Sequence, residues 1–119
     1  MKASFDPCQV VKEFCQAWQN KDYKYMFIWV SSAQKACGEK AFVDKYKSLA
    51  QKGAVIIRYA IFMPVIIVDK QTVKVEAEIE FQKESPPDVV SGIRIFRLTK
   101  ELDSYRIDEI SAPVLPPFF

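Results

Sequence analysis

Hydrophobic residues near the start of the chain recur at the three- and four-residue spacing of an amphipathic helix. The first run follows Asp6, a residue type that caps helix N-termini, and has Pro7 at its first helical position. Its apolar face holds Val10, Val11, Phe14, Cys15 and Trp18. A second run begins after Asp22 and is apolar nearly all round, so the pattern predicts a short and largely buried second helix.

A third helix is predicted after a loop over residues 31–38. It begins near Glu39, and its apolar face holds Phe42, Tyr46, Leu49 and Ala50. Gly53 follows the last of these positions, where a glycine can adopt the left-handed conformation that ends a helix.

From residue 54 onward the hydrophobic period falls to two, and β-branched and aromatic residues dominate, which predicts a meander of four to five antiparallel strands. Residues 55–68 are apolar on both faces and are interpreted as a buried strand, in which Pro64 marks a bulge, a bend or an edge. Apolar and charged residues alternate over 73–81, and further strands are predicted over 90–99 and 105–110. Helices followed by strands, with no repeat or linker between them, predict an α+β class.

Composition is that of one ordinary globular domain. The chain has 119 residues, 50% of them hydrophobic and 27% charged. The predicted domain spans residues 1–119, with its core over about 6–111 and an apolar, proline-rich tail over 112–119. The tail is expected to pack on its own domain, on a second copy or on another partner. A net charge of +2 and a pI near 8.4 argue against a nucleic-acid-binding protein.

The chain contains no histidine, which removes the commonest general base and metal ligand. Cys8, Cys15 and Cys37 have no paired spacing, so neither a metal site nor a disulfide framework is expected. They are interpreted as small apolar residues in a reducing compartment, which favours the cytoplasm, although a trimmed exported protein would look the same. The apolar stretch over residues 54–68 is too short to cross a bilayer as a helix, so no membrane insertion is expected.

Two local sequence patterns are more specific than the order of helices and strands. The first is the run Pro7-Cys8-Gln9-Val10-Val11-Lys12-Glu13-Phe14, followed by Ala17-Trp18 and Asn20-Lys21-Asp22-Tyr23, and the second is the run Ser104-Tyr105-Arg106-Ile107-Asp108-Glu109-Ile110. The first resembles the opening helix, and the break before the second helix, of the nuclear transport factor 2-like superfamily, and the second is similar to the final strand of that superfamily. Cystatin-like folds are the nearest alternative, but three separate helices before the sheet disfavour them.

The resemblance implies three helices packed on a curved antiparallel sheet, forming a cone with a central cavity that is the default ligand site. The superfamily includes isomerase-like and dehydratase-like enzymes as well as non-catalytic binding and dimerising members. Isomerase-like members place a tyrosine on the first helix, where this chain has Phe14 and Trp18, and a histidine-containing catalytic pair is excluded by composition.

Asp108 is the one weak candidate for a catalytic residue. Asp108 and Glu109 are neighbours on a strand and are expected to point to opposite faces, which would prevent them from forming a carboxylate pair. A solvated strand end or an ion pair with a neighbouring arginine is the expected state of either side chain.

Aromatic and cationic side chains of the predicted core faces are the candidate ligand contacts. Arg94 shares a strand face with Phe96, and Arg58 shares one with Ile56 and Ala60. An arginine offers a planar set of donors to an anionic group, and aromatic rings can line an apolar cavity. The candidate ligand set is Trp18, Arg58, Tyr59, Arg94 and Phe96.

These residues also have a purely structural interpretation. The aromatic side chains lie at core spacing. The arginines can pair across strands with the acidic face of the second strand, formed by Glu76, Glu78 and Glu80.

The sequence favours a non-enzymatic, homodimeric domain that binds a small apolar or weakly anionic ligand or another protein. Two alternatives stay open, namely a small isomerase- or dehydratase-type enzyme and an accessory domain of a cell-envelope protein. No cofactor is expected, because three glycines provide no phosphate-binding loop.

Overall fold

A computed structural model describes residues 6–51, 55–62, 65–84, 87–101 and 104–111. It describes the side chains of these residues except at 82–84, 87–91 and 111. The described residues form four helices and a five-stranded antiparallel sheet, which confirms the α+β class. The helices are α1 (Pro7–Gln19), α2 (Tyr23–Ile28), α3 (Ser32–Lys35) and α4 (Glu39–Gln51). Predictions made for Gly53, for Pro64 and for the tail over 112–119 lie outside the described residues.

The first two helices begin where their caps predict. The Asp6 carboxylate accepts a hydrogen bond from the Gln9 amide at 2.8 Å, and the Asp22 carboxylate accepts one from the Tyr25 amide at 3.3 Å. The expectation that the second helix is largely buried is wrong in part, because Ile28 is 48% exposed. A helix of six residues presents only one side to α1 and α4, so its apolar residues on the other side face solvent.

The loop predicted over residues 31–38 contains α3, a single turn that the sequence pattern did not reveal. The Ser31 hydroxyl caps it by accepting a hydrogen bond from the Gln34 amide at 3.3 Å. None of the residues in α3 is buried, so no apolar periodicity announces this turn.

The sheet is a meander whose strands follow one another in the order β1-β3-β4-β5, with β2 paired to β3 beyond the end of β1. The strands are β1 (Val55–Ile61), β2 (Ile66–Ile67), β3 (Thr72–Glu84), β4 (Pro87–Glu101) and β5 (Ser104–Ser111). It curls strongly into a half-barrel, and the helices pack against its concave face.

Alternation along β3 is confirmed, because its apolar side chains all face the helices. The buried set is Val73, Val75, Ala77, Ile79 and Phe81. Glu78, on the opposite face, is exposed, so the acidic side of this strand forms part of the convex surface.

The prediction of one buried strand over residues 55–68 is wrong. The described parts of this segment form β1 and β2, which both pair with β3 at one edge of the sheet. Ile67 is 77% exposed, and Phe62, Ile66 and Val68 are exposed as well. The segment is apolar on both faces, but the helices cover only the concave side, and α1 reaches β1 rather than β2.

A β-bulge changes the faces of β1. Ile56 pairs with Phe81 and Arg58 pairs with Glu80, which leaves Ile57 as the extra residue between them. The expectation that Arg58 shares a face with Ile56 is therefore wrong. Ile56 is buried, whereas the Arg58 side chain is 77% exposed on the convex face and its Nε lies 2.9 Å from a Glu80 carboxylate oxygen.

Aromatic rings join the helices to the concave face. Trp18 lies 5.5 Å from Phe81 of β3 and 5.2 Å from Tyr46 of α4, measured between ring centroids. Phe14 lies 6.1 Å from Phe96 of β4 in an edge-to-face arrangement. The core therefore sits between α1, α4 and the middle of β3 and β4.

The chain between α1 and α2 contains one residue with a left-handed backbone. Lys21 has φ of +60°, a conformation that costs a non-glycine residue about 1–2 kcal/mol. We expect Lys21→Gly to raise the free energy of unfolding by about 0.5–1 kcal/mol, since glycine adopts this conformation without steric cost. Urea unfolding measures the change.

Lys12→Gly is the matched control, because Lys12 is exposed within α1 and has ordinary helical geometry. This variant should lower the free energy of unfolding by about 0.7–1 kcal/mol. Equal destabilisation by both substitutions would contradict the interpretation of Lys21.

Candidate functional site

A pocket of about 240 Å³ lies where α1 and α4 meet β5. Its apolar wall consists of Phe14, Val30, Phe42, Ile107 and Ile110. Phe14 comes from the concave core, and Phe42 is buried one turn before Tyr46 on α4. The wall is thus formed by the same helix faces that hold the sheet.

Polar groups lie around the same pocket. Gln34 comes from α3, Lys45 from α4, and Asp108 and Glu109 from β5. Tyr46 completes the lining beside Lys45, whose Nζ lies 5.8 Å from the centroid of the Tyr46 ring. The pocket therefore combines an apolar wall with a comparable share of polar groups.

A second β-bulge shapes the β5 side of the pocket. Arg97 pairs with Glu109 and Leu98 pairs with Ile107, so Asp108 is the extra residue. The Arg97 Nη2 atom lies 3.0 Å from an Asp108 carboxylate oxygen and 3.2 Å from a Glu109 one. The expectation that the two carboxylates point to opposite faces is wrong, because the bulge removes the simple alternation at this point.

Asp108 is held in place from three directions. One carboxylate oxygen accepts the Ser31 hydroxyl at 2.9 Å, and the other accepts Arg97 at 3.0 Å. The Gln34 side-chain amide donates to the Asp108 backbone carbonyl at 2.6 Å. The expected ion pair with a neighbouring arginine is confirmed, and both carboxylate oxygens are occupied as acceptors.

The outer edge of β5 is covered by the chain that follows α2. Val30 forms a parallel bridge with Ile107. The Ser31 amide donates to the Ile107 carbonyl at 2.8 Å, and the Ile107 amide donates to the Trp29 carbonyl at 2.8 Å. Val30 belongs to this covering segment, and Gln34 belongs to the α3 turn directly after it. The hydrogen bonds therefore hold both residues in the pocket lining.

Tyr46 and Cys15 are buried titratable groups of the adjoining core. Burial raises the pKa of Tyr46 above its ordinary value of 10.0, and the nearby Cys15 adds to the rise. Burial likewise raises the pKa of the Cys15 thiol above its ordinary value of 9.0. Both groups are therefore neutral at physiological pH, and a buried thiol with a raised pKa is not a reactive nucleophile.

The five predicted ligand residues do not line this pocket. Trp18, Arg94 and Phe96 are buried in the concave core, Tyr59 is half-buried on β1, and Arg58 lies on the convex face. The structure thus brings three of them into one core and separates Arg58 from the rest. Contact of any of the five with a ligand stays a prediction.

Arg94 is a buried cation on the concave face of β4. It is 1% exposed, and its guanidinium carbon lies 5.2 Å from the centroid of the Phe81 ring, within cation–π range. Burial lowers its pKa from the ordinary value of 12.5. Gly92 makes room for it, because a Cβ atom there would lie 2.9 Å from Arg94 Nη1.

Sequence reasoning did not find Gln34 and Lys45 as pocket residues. Gln34 belongs to a turn with no apolar periodicity, and Lys45 lies on the polar side of the α4 pattern. Gln34 lies in the turn that follows the segment crossing the β5 edge, and Lys45 comes from α4 on another side of the pocket. These are tertiary features that leave no local signal in the sequence.

The described part of the chain contains no cluster of three or more histidine, cysteine, aspartate or glutamate side chains that could hold a metal ion. It also has no helix with the length and apolar character needed to span a bilayer.

Solved structures share this architecture. A SEC-C motif containing protein from Rhodopseudomonas palustris matches with a TM-score of 0.69 and 11% identity, over 89% of this chain and 77% of that one. An NTF-2 like protein of unknown function from Shewanella oneidensis matches with a TM-score of 0.64 and 13% identity, over 87% and 92% of the two chains. A ketosteroid isomerase-like protein from Erwinia carotovora atroseptica matches with a TM-score of 0.60 and 12% identity, over 85% and 87%.

The chain has the nuclear transport factor 2-like fold. The sequence resemblance is thereby confirmed at the level of fold, since identities this low carry no further conclusion. Searches of the sequence against known families and against curated proteins find no match. Function in this nuclear transport factor 2-like domain must therefore be argued from its own pocket.

Burial of Tyr46 and Cys15 predicts a loss of stability in alkali. Between the ordinary and the raised pKa of each group, the unfolded chain releases a proton that the folded chain keeps, so ionisation favours unfolding. We expect the free energy of unfolding to fall above about pH 9, by up to about 1.4 kcal/mol per pH unit for each group. Tyr46→Phe should make this decline shallower above about pH 10.

Urea unfolding of wild type and Tyr46→Phe between pH 6 and pH 11 measures the effect, with the pH chosen to bracket both ordinary values. The two profiles should run parallel below about pH 9, where both groups are protonated in either state. Identical slopes above pH 10 would show that ionisation of Tyr46 is not coupled to unfolding.

Proposed function

We propose that this nuclear transport factor 2-like domain binds a small, largely apolar ligand in the pocket between α1, α4 and β5, without catalysing a reaction. The observation that supports the proposal is the combination of five apolar wall residues with Gln34, Lys45, Asp108 and Glu109 in one concave site. A pocket of this composition is the usual place for a ligand in a small domain.

The size of the pocket limits the ligand. At about 240 Å³ it is smaller than the roughly 300–1,000 Å³ typical of sites for drug-sized molecules. A single substituted ring or a short branched chain fits such a volume. Phe14 and Phe42 would contact the apolar part of that molecule.

The charges around the pocket favour a weakly anionic group on the ligand. Asp108 and Glu109 share Arg97, whose single positive charge offsets one of their two negative charges. Lys45 is exposed, and within the described part of the chain no carboxylate forms an ion pair with it. Its ammonium group is therefore the cation best placed to meet a carboxylate on a bound molecule.

The arrangement of Asp108 supports a binding role over a catalytic one. A general base needs a carboxylate that can turn toward the substrate proton, and the Asp108 carboxylate is anchored by Ser31 at one oxygen and by Arg97 at the other. A structural role in holding β5 to the segment after α2 uses all three of its contacts.

The proposal includes a homodimer in a reducing compartment. Exposed apolar side chains at the β1–β2 edge, including Ile66 and Ile67, favour burial by a second copy. Cys8, Cys15 and Cys37 form no disulfide, and Cys37 is exposed, which suits a reducing environment such as the cytoplasm.

Ligand binding is tested with two probes that differ in charge, benzoate and benzyl alcohol, by amide chemical-shift titration. We expect both to shift resonances of residues around the pocket. Lys45→Ala should weaken benzoate about two- to five-fold and leave benzyl alcohol unchanged, since an exposed ion pair contributes under about 1 kcal/mol. Native mass spectrometry of freshly purified protein shows whether a natural ligand is retained.

Ile110→Trp is a pocket-filling variant, because Ile110 is half-buried in the pocket wall. It should abolish binding of both probes. Ile93→Trp is the control, since Ile93 is exposed on β4 on the convex side of the sheet. Unchanged affinity in Ile110→Trp would show that the probes bind elsewhere and would refute the proposed site.

A further inference from the structure

The two edges of the sheet differ in how they are covered. At β5, the segment containing Val30 bridges Ile107 and occupies the outward-facing backbone groups of that residue with two hydrogen bonds. At β1, no described segment pairs with the edge that faces away from β3. Gln19 reaches this edge at one point, where its side-chain amide donates to the Ile57 carbonyl at 3.0 Å.

Backbone groups of two β1 residues point out of the open edge. The Phe62 amide donates to the Glu76 carbonyl at 2.8 Å, which makes their pair a hydrogen-bonded one. In an antiparallel ladder such pairs alternate with non-hydrogen-bonded ones, so Ala60 and Arg58 also bond to β3. The N–H and C=O groups of Tyr59 and Ile61 therefore point away from β3, toward the outside of the sheet.

We propose that the β1 edge pairs antiparallel with β1 of a second copy, about a two-fold axis that passes beside Ala60. Tyr59 of each copy then exchanges backbone hydrogen bonds with Ile61 of the other. The sheet continues across the interface from one molecule to the next. This inference rests on the homodimer of the proposed function and assigns the surface that forms it.

Side chains favour this register. On the convex face it sets Arg58 of one copy opposite Phe62 of the other, which allows a cation–π contact at a position where both side chains are exposed. It sets Tyr59 opposite Ile61, an aromatic and β-branched pair of the kind that stabilises neighbouring strands. Ala60, small and exposed, meets its own copy at the centre.

Two registers on the Arg58 side of this one lack the contact between Arg58 and Phe62. The outward-facing N–H and C=O groups of the two β1 strands meet only in certain registers. In these registers the residue opposite any given position changes by two from one register to the next. A shift that centres the axis on Arg58 sets two arginines directly opposite each other, and like charges in that position are destabilising. A shift that centres it on Tyr59 sets Arg58 against Ala60 and so loses the contact between Arg58 and Phe62.

The edge also has reason to be covered. The same edge of the sheet continues with four exposed apolar side chains, namely those of Phe62, Ile66, Ile67 and Val68. An open apolar edge strand is a template for further pairing unless it is blocked by charge, proline or a bulge. The bulge at Ile57 affects only the beginning of β1, and no strand in the described part of the chain pairs with Tyr59 or Ile61 on the outer side of β1.

Cysteine cross-linking tests the register in a Cys37→Ser background, which removes the exposed native thiol. Facing residues of a non-hydrogen-bonded antiparallel pair have Cα atoms about 4.5 Å apart, within the range of a disulfide. Ala60→Cys should therefore form an intermolecular disulfide in mild oxidant. Ile93→Cys, exposed elsewhere on the convex side, should not.

Light scattering after size exclusion, at about 1 µM to 100 µM protein, gives the oligomeric state. Ala60→Lys sets two ammonium groups opposite each other and should raise the dimer dissociation constant about tenfold or more, whereas Ile93→Lys should leave it unchanged. Circular dichroism of each variant shows that the monomer fold is kept.

The outcomes separate this inference from the function proposed above. A wild-type dimer that Ala60→Lys dissociates and Ala60→Cys cross-links supports it. A dimer that withstands Ala60→Lys and gives no Ala60→Cys disulfide overturns the edge pairing and keeps the homodimer. A monomer at every concentration overturns both the pairing and the homodimer, whereas ligand binding in the pocket is judged by its own titration.

Discussion

Phe14 and Trp18 on α1 join the helices to the concave face of the sheet, and the remaining structure depends on these contacts. The rings reach Phe96 of β4, Phe81 of β3 and Tyr46 of α4, so one helix face holds three elements at fixed spacing. Burial of such large rings contributes strongly to the stability of a small domain. The pocket lies where this packing ends, at the side of Phe14 that faces β5.

Two bulges convert a regular meander into a sheet with distinct surfaces. The bulge in β1 sends Arg58 to the convex face beside Glu80, while Ile56 stays in the core. The bulge in β5 brings Asp108 and Glu109 to one arginine and shapes the pocket rim. Each is a single inserted residue, yet together they decide which charges face the interior and which face the surroundings.

Local signals predicted most of the helices and strands, and tertiary contacts determined the site. The caps Asp6 and Asp22 and the alternation along β3 depend on neighbouring residues, so they could be seen in the sequence. The bulge at Asp108 depends on pairing with β4, and Gln34 and Lys45 meet β5 only through contacts between segments distant in the chain. Periodicity within one segment carries no information on either, and so the pocket could not be located in advance.

The parallel bridge between Val30 and Ile107 has a consequence for assembly. A sheet with two open edges can add strands at both ends and grow without limit, as fibres do. In the described part of the chain, the bridge occupies the outward-facing N–H and C=O groups of Ile107, so a further strand cannot pair with β5 through that residue. Trp29, Val30 and Ser31, which directly follow α2, thereby oppose the addition of a strand at the β5 edge.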